Sequence, residues 1–200
     1  MLRSMIVAFS TYSKIPMPQF EWKEKDMTYS LCFFPLIGII IGALSVGGYQ
    51  LASWLGISNA LLTILLVALP ILVTGGIHMD GFLDVMDAKN SYANQERKLE
   101  ILKDPHVGAC AIIYGIIYIM LTSGFVYEYL YQEGDMLLYA EIFVISRILS
   151  GLGVVTLRKA KKDGMVSTFA KAQTETERAI ISASKTDSIL LNVFFICIPL

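Results

Sequence analysis

The sequence predicts an all-α protein, a polytopic bundle of transmembrane helices with cytoplasmic loops carrying the site. Three observations lead there: the oiliness of the chain, the length of its apolar stretches and the placement of its positive charge. Of the 200 residues, 55% are hydrophobic and 16% charged, whereas soluble domains carry about 25% charged residues; mean hydropathy is +0.60. Apolar stretches lie at about 30–51, 57–73, 107–126 and 137–157, most near the roughly 20 residues that cross a bilayer core. A fifth, at 188–200, is too short to cross, so the sequence is expected to be cut short or to need a helix that continues past Leu200. With no internal repeat or low-complexity tract, a single integral membrane domain over 1–200, incomplete at its C-terminal end, is the simplest division.

Positive charge orients this bundle. Residues 1–30 hold Arg3, Lys14, Lys23 and Lys25; residues 77–106 hold Lys89, Arg97, Lys98 and Lys103; residues 158–187 hold seven more, so that 15 of the 16 basic residues sit in three segments. The connections at 53–56 and 127–136 hold none. Basic segments stay cytoplasmic, so the N-terminus, residues 77–106 and the 158–187 loop are expected on the inner side of a cell membrane. The formal net charge of -1, with no basic stripe interleaved with aromatics, argues against nucleic-acid binding. The apolar start at 5–9 is too short for a cleavable signal peptide. Cys32, Cys110 and Cys197 are scattered through apolar stretches and make no disulfide framework.

Where the second stretch ends, at 74–87, the chain reads Thr-Gly-Gly-Ile-His-Met-Asp-Gly-Phe-Leu-Asp-Val-Met-Asp. Asp80, Asp84 and Asp87 are spaced i, i+4, i+7, which on a helix of 3.6 residues per turn puts three carboxylates on one stripe. At about 6 Å and an effective dielectric near 20, each pair repels by roughly 3 kcal/mol. A divalent cation offsets this more effectively than protonation, and oxygen ligands favour Mg2+ or another hard ion over zinc. A helix start explains one or two acids through the macrodipole, but not three on one stripe. Gly75 and Gly76 either allow a kink or close approach to a ligand, or serve helix packing; both readings stand. Gly81 weakens a helix and suits proximity to a phosphate or metal. His78 is a ligand, a general base or a capping side chain.

Downstream, residues 96–102 read as an amphipathic surface helix with Leu99 and Leu102 turned down. Lys103 and Asp104 precede Pro105, which ends that helix. They suit a phosphate contact and a metal shell, or interface anchoring and a turn. Arg147 is the lone cation inside an apolar span, where an unpartnered charge costs about 2.5 to 3.5 kcal/mol. It should face the interior, and pairing with Glu141 is poor on helix geometry, so an aspartate of the motif or a substrate phosphate is the better partner. The run Arg158-Lys-Ala-Lys-Lys-Asp-Gly164 either collects an anionic nucleotide or only retains the loop inside.

Taken together, these residues resemble the cobalamin synthase family, the adenosylcobinamide-GDP ribazoletransferases. The likeness runs through Phe9-Ser-Thr-Tyr-Ser-Lys-Ile-Pro-Met-Pro18, Phe34-Pro-Leu-Ile-Gly-Ile-Ile-Ile-Gly42, the 74–87 motif and Lys98-Leu-Glu-Ile-Leu-Lys-Asp-Pro-His-Val-Gly108. Ala88 stands where many members carry glycine, and members usually continue beyond the equivalent of Leu200. The resemblance implies joining of adenosylcobinamide-GDP to alpha-ribazole or its 5'-phosphate, with release of GMP and dependence on Mg2+. On that reading Asp80 and Asp84 hold the metal, Asp87 adds to the metal or takes the ribazole hydroxyl proton, and Lys103 with Arg147 steadies phosphate, while Gly75, Gly76 and Gly81 line the substrate; His78 and Asp104 complete the site. The implied partners are these two small molecules and the lipid bilayer, with homo-oligomerisation left open. Two rivals are a CDP-alcohol phosphotransferase, whose Ala-Arg pair is missing after Asp80-Gly81, and a divalent-cation transporter, in which acids tend to sit at mid-membrane.

Overall fold

A computed structural model describes residues 2–18, 21–27 and 29–156. Among these every regular element is helical: α1 (Leu2–Tyr12), α2 (Glu24–Met27), a 3-10 turn (Ser30–Phe33), α3 (Phe34–Trp54), α4 (Asn59–Thr74), α5 (Ile77–Asn90), α6 (Gln95–Ile101), α7 (Ala109–Tyr131) and α8 (Met136–Thr156). Three helical segments are long and apolar enough to cross a membrane: Ser30–Trp54, Ala109–Tyr131 and Met136–Val154. They match the first, third and fourth predicted stretches. The second differs. At 16 residues α4 is about 24 Å long, short of the roughly 30 Å core, and it passes as a span only together with α5, from which it is bent by 93°. The fifth stretch and the 158–187 basic loop lie outside the described residues.

The chain divides into two compact units, one holding the described residues up to Leu44 and from Leu137 onward, the other Ser45–Met136. In the first, α3 and α8 approach by backbone. A Cβ on Gly38 would lie 2.6 Å from the Phe143 carbonyl oxygen, and one on Gly42 would lie 2.9 Å from the Ala140 Cβ. Gly38-Ile-Ile-Ile-Gly42 is thus a small-xxx-small seam, which supplies van der Waals contact where lipid removes the hydrophobic drive between helices. Phe34, Ile37, Ile41, Tyr139 and Phe143 are buried along the two helices, while Ile39, Leu44, Leu138, Ile142 and Ile145 are exposed. That outer face is as apolar as the inner one, as expected of helices solvated by lipid. Val7 of α1 and Leu31 form a small core with Tyr12, Met27 and Val154 around it, and Tyr12 packs its ring 4.7 Å from that of Phe34.

In the second unit α7 is the central element, with α4 and α5 both packed on it and α6 on α5. Asp87 reaches Gly108 and Ala111, Asn90 reaches Tyr114, Leu83 faces Gly115 and Phe82 faces Tyr118. Apart from the long reach of the Tyr114 hydroxyl to Asn90, positions fall along α5 as they rise along α7, so the two helices run antiparallel. The motif helix therefore lies beside the first ten residues of α7, about 15 Å of its length, instead of extending beyond the end of the bundle. Lys98 Nζ donates to the Lys89 carbonyl at 3.3 Å, putting a cation on the C-terminal end of α5.

The seam makes a sharp prediction. Gly38→Ala should destabilise the protein by about 1–3 kcal/mol, because a backbone carbonyl cannot yield as a side chain can, whereas Gly47→Ala, whose added Cβ meets nothing within 4 Å, should leave unfolding in detergent almost unchanged. Thermal unfolding of the two variants side by side checks it.

Candidate active site on α5

A double left-handed turn sets the direction of the motif helix. Pro70 inside α4 removes a backbone donor, and the Thr74 hydroxyl donates back to the Pro70 carbonyl at 2.7 Å. Gly75 follows at φ 67, ψ 21 and Gly76 at φ 79, ψ 1. The Gly76 amide bonds the Ile71 carbonyl at 2.9 Å and the Gly75 amide bonds Leu72 at 3.2 Å, a Schellman closure that satisfies the last carbonyls of α4. A Cβ on Gly76 would meet nothing within 4 Å, so glycine is required there by conformation, not by space; any other residue costs about 1–2 kcal/mol. Of the two roles left open for this pair, the kink is the one the structure shows.

The predicted helix over the three aspartates is present: all lie in α5. Asp80 is exposed in its first turn, where the macrodipole favours an anion, and Asp84, one turn on, is half-buried. Asp87 has another engagement. Its Oδ2 accepts from the Gly108 amide at 2.5 Å and its Oδ1 from the Ala111 amide at 2.8 Å. Those are orphan donors of the first turn of α7, whose N-cap, Gly108, has no side chain to satisfy them. Asp87 thus caps α7 from another helix. A Cβ on Gly108 would fall 2.6 Å from both carboxylate oxygens, so any other residue here must push the Asp87 carboxylate off its cap.

The remaining predicted residues lie on α5, on α8 and in the turn after α6. Asp104 Oδ1 accepts from the His106 amide at 3.0 Å and meets His106 Nδ1 at 2.6 Å, and these bonds hold its carboxyl below the usual range. This is a turn around Pro105, the second of the two roles foreseen. Lys103 is exposed just past α6, its amide bonded to the Glu100 carbonyl at 2.8 Å. His78 is half-buried in the first turn of α5, and Gly81 is exposed with nothing within 4 Å of an added Cβ. Arg147 belongs to the other unit. It is 1% exposed, lies 5.7 Å from the centroid of the Phe34 ring and donates from Nη1 to the Ser146 hydroxyl at 3.4 Å. Its expected turn toward the interior is observed, and the ring face partly offsets the buried charge.

Among the described residues no group of three or more His, Cys, Asp or Glu stands close enough to hold a metal. The donor set that α5 does offer is Asp80 and Asp84, one turn apart. It fits Mg2+, which binds through one or two carboxylates and completes its shell with water and substrate phosphate. What sequence reasoning missed is the Asp87 cap and the Tyr114 hydroxyl on Asn90 Oδ1 at 3.2 Å; both join residues 21 to 24 apart, beyond any local spacing rule.

Loss of two charge-assisted bonds to otherwise unmet donors should cost about 2–4 kcal/mol, so Asp87→Ala is expected to lower denaturation midpoints clearly. Asp80→Ala, at an exposed position, should change stability by less than about 0.5 kcal/mol. Gly108→Ala should reproduce much of the Asp87 defect. Equal stability of Asp87→Ala and wild type would deny the cap.

Comparison with known proteins identifies the family. The family described as cobalamin-5-phosphate synthase matches residues 4–199. An adenosylcobinamide-GDP ribazoletransferase of Lachnoclostridium phytofermentans is 48% identical over 171 residues, covering 86% of this chain and 65% of that protein. One from Clostridium botulinum is 30% identical over 198 residues, or 99% of this chain and 75% of the relative, and one from Geotalea daltonii is 33% identical over 171 residues, or 84% and 68%. The chain thus spans about two thirds to three quarters of the length of these relatives. No solved structure matches it. By the extent of the match, this chain belongs to the cobalamin-5-phosphate synthase family.

Proposed function

We propose that this chain catalyses the transfer for which its relatives are named: adenosylcobinamide-GDP and alpha-ribazole, or its 5'-phosphate, give adenosylcobalamin, or its 5'-phosphate, and GMP. The observation that carries the proposal is the pair Asp80 and Asp84 on one face of a helix turned by Gly75-Gly76, in a chain of this family. Atoms balance simply. A ribazole hydroxyl forms a bond to the phosphorus that already carries the corrinoid, the bond from that phosphorus to the GMP oxygen breaks, and the hydroxyl proton leaves to a base or water.

Asp80 and Asp84 would hold Mg2+, which supplies charge neutralisation to the pyrophosphate and aligns the attacking and leaving oxygens. The chain's own residues do the rest. Gly81, open on its outer side, leaves room for a phosphate to approach α5. Lys103, exposed past α6, reaches for a phosphate oxygen. Asp87, with both oxygens on α7, is a positioning residue that holds α5 against α7. The placement of 15 of 16 basic residues in three segments supports an inner-membrane protein with these groups on the cytoplasmic side, where a charged donor is found. Family membership favours this transferase over the two rivals.

The test is GMP release from adenosylcobinamide-GDP and alpha-ribazole by the purified chain in detergent. Chelation with EDTA should abolish it and Mg2+ should restore it. Asp84→Asn is expected to lower turnover at least about 100-fold with unchanged thermal unfolding, and Asp80→Asn to raise the Mg2+ concentration needed for half-maximal rate. Wild-type turnover in Asp84→Asn would remove α5 from the chemistry; no GMP from folded wild type would end the assignment.

A further inference from the structure

The motif helix leaves one conspicuous stretch of the sequence unexplained, the segment at 9–18 that follows α1. In the first unit residues of this segment and Trp22 line an open cavity of about 490 Å³, within the range of small-molecule sites. One wall is apolar, from Ile15, Pro16 and Met17; Ser10 and Ser13 bring hydroxyls, and Lys14 brings the charge. Among the described residues that line it none is acidic and Lys14 is the one charged group, which favours an anion. Trp22 lies 44% exposed at its edge, offering an indole face.

The walls are preset. Ser13 is buried and fixed twice over, its hydroxyl donating to the Phe9 carbonyl at 2.7 Å and accepting from the Ile15 amide at 3.3 Å. The Ser13 amide also bonds the Phe9 carbonyl, at 3.0 Å, and Pro16 and Pro18 restrict the loop beyond. A ligand therefore finds its contacts already ordered, which removes much of the usual entropy cost of binding. A flat aromatic body suits the indole and the apolar wall, and an anionic end suits Lys14 and the Ser10 hydroxyl, the Ser13 proton being spent on the Phe9 carbonyl.

We propose that this cavity binds a nucleoside phosphate, with its base against Trp22 and its phosphate at Lys14. The choice of a nucleotide over other aromatic anions rests on the reaction proposed above, in which the donor, and the acceptor in its 5'-phosphate form, each present an aromatic base with a phosphate. Which of the two occupies it is a matter for the test.

In a Trp54→Phe background Trp22 is the single tryptophan, since the chain has two. Its fluorescence in detergent is titrated with GMP, alpha-ribazole 5'-phosphate, ribose 5-phosphate and phosphatidylglycerol, and GMP release is assayed on the same preparation. Saturable quenching by GMP marks the donor nucleotide, and by ribazole 5'-phosphate the acceptor. Lys14→Ala should weaken that binding at least about tenfold, and Lys14→Arg should recover most of it; Lys14 is exposed, so both variants should fold. Ribose 5-phosphate, lacking a base, should not quench. The proposal falls if neither nucleotide quenches up to millimolar concentration, if ribose 5-phosphate does so equally, if Lys14→Ala binds as wild type, or if phosphatidylglycerol alone gives the signal, which would mark a lipid headgroup site. Quenching without GMP release keeps the cavity and removes the reaction; GMP release without quenching does the reverse.

Discussion

An apolar helix cannot start without acceptors for its first amides, and α7 finds two of them in a side chain of a different helix. Asp87 takes the Gly108 and Ala111 amides, and through them the second unit is tied together: α5 lies along α7, α4 meets both, and α6 hangs from α5. Near lipid there is little water to satisfy such amides in its place. The Asp87 carboxylate thus serves helix architecture, while Asp80 lies exposed and Asp84 half-buried on the same helix. Within the row of three like charges the mutual repulsion falls, because the charge of Asp87 is already offset by a helix dipole.

The corner at Gly75-Gly76 serves the same end by other means. A straight continuation of α4 would carry the acids along the direction of an apolar helix. Two successive left-handed residues turn the chain by 93°, and the Schellman bonds meet the carbonyls that such a break would leave bare. Irregular backbone at this point is tolerable because its polar groups are satisfied within four or five residues.

Much of this fold was legible because lipid imposes a simple code. Three predicted apolar stretches match helices to within a few residues, and the i, i+4, i+7 spacing of Asp80, Asp84 and Asp87 was read as one helix, which it is. The second stretch passes as a span only as a bent pair with α5, because hydropathy counts apolar residues and is blind to the angle that paired glycines introduce. Asp87 was read with its neighbours as a ligand since sequence shows like charges at helical spacing and not the helix terminus 21 residues away that takes one of them. Asp104 similarly offered two roles, and the His106 contacts that form its turn are specific to the Pro105 geometry. The Gly38-Gly42 seam was visible in the letters; its spacing equals one helical turn, yet only a facing backbone turns that spacing into a contact.

Because Asp87 and Gly108 meet, the twenty residues between them form an excursion closed at its base. Chain added within it at Tyr92, which is fully exposed, meets only the logarithmic entropy of a larger loop, about 0.6 kcal/mol for each doubling. Length is therefore a nearly neutral character there, and insertions that separate one lineage from another should accumulate in this excursion while the registry of the two helices beneath it stays fixed.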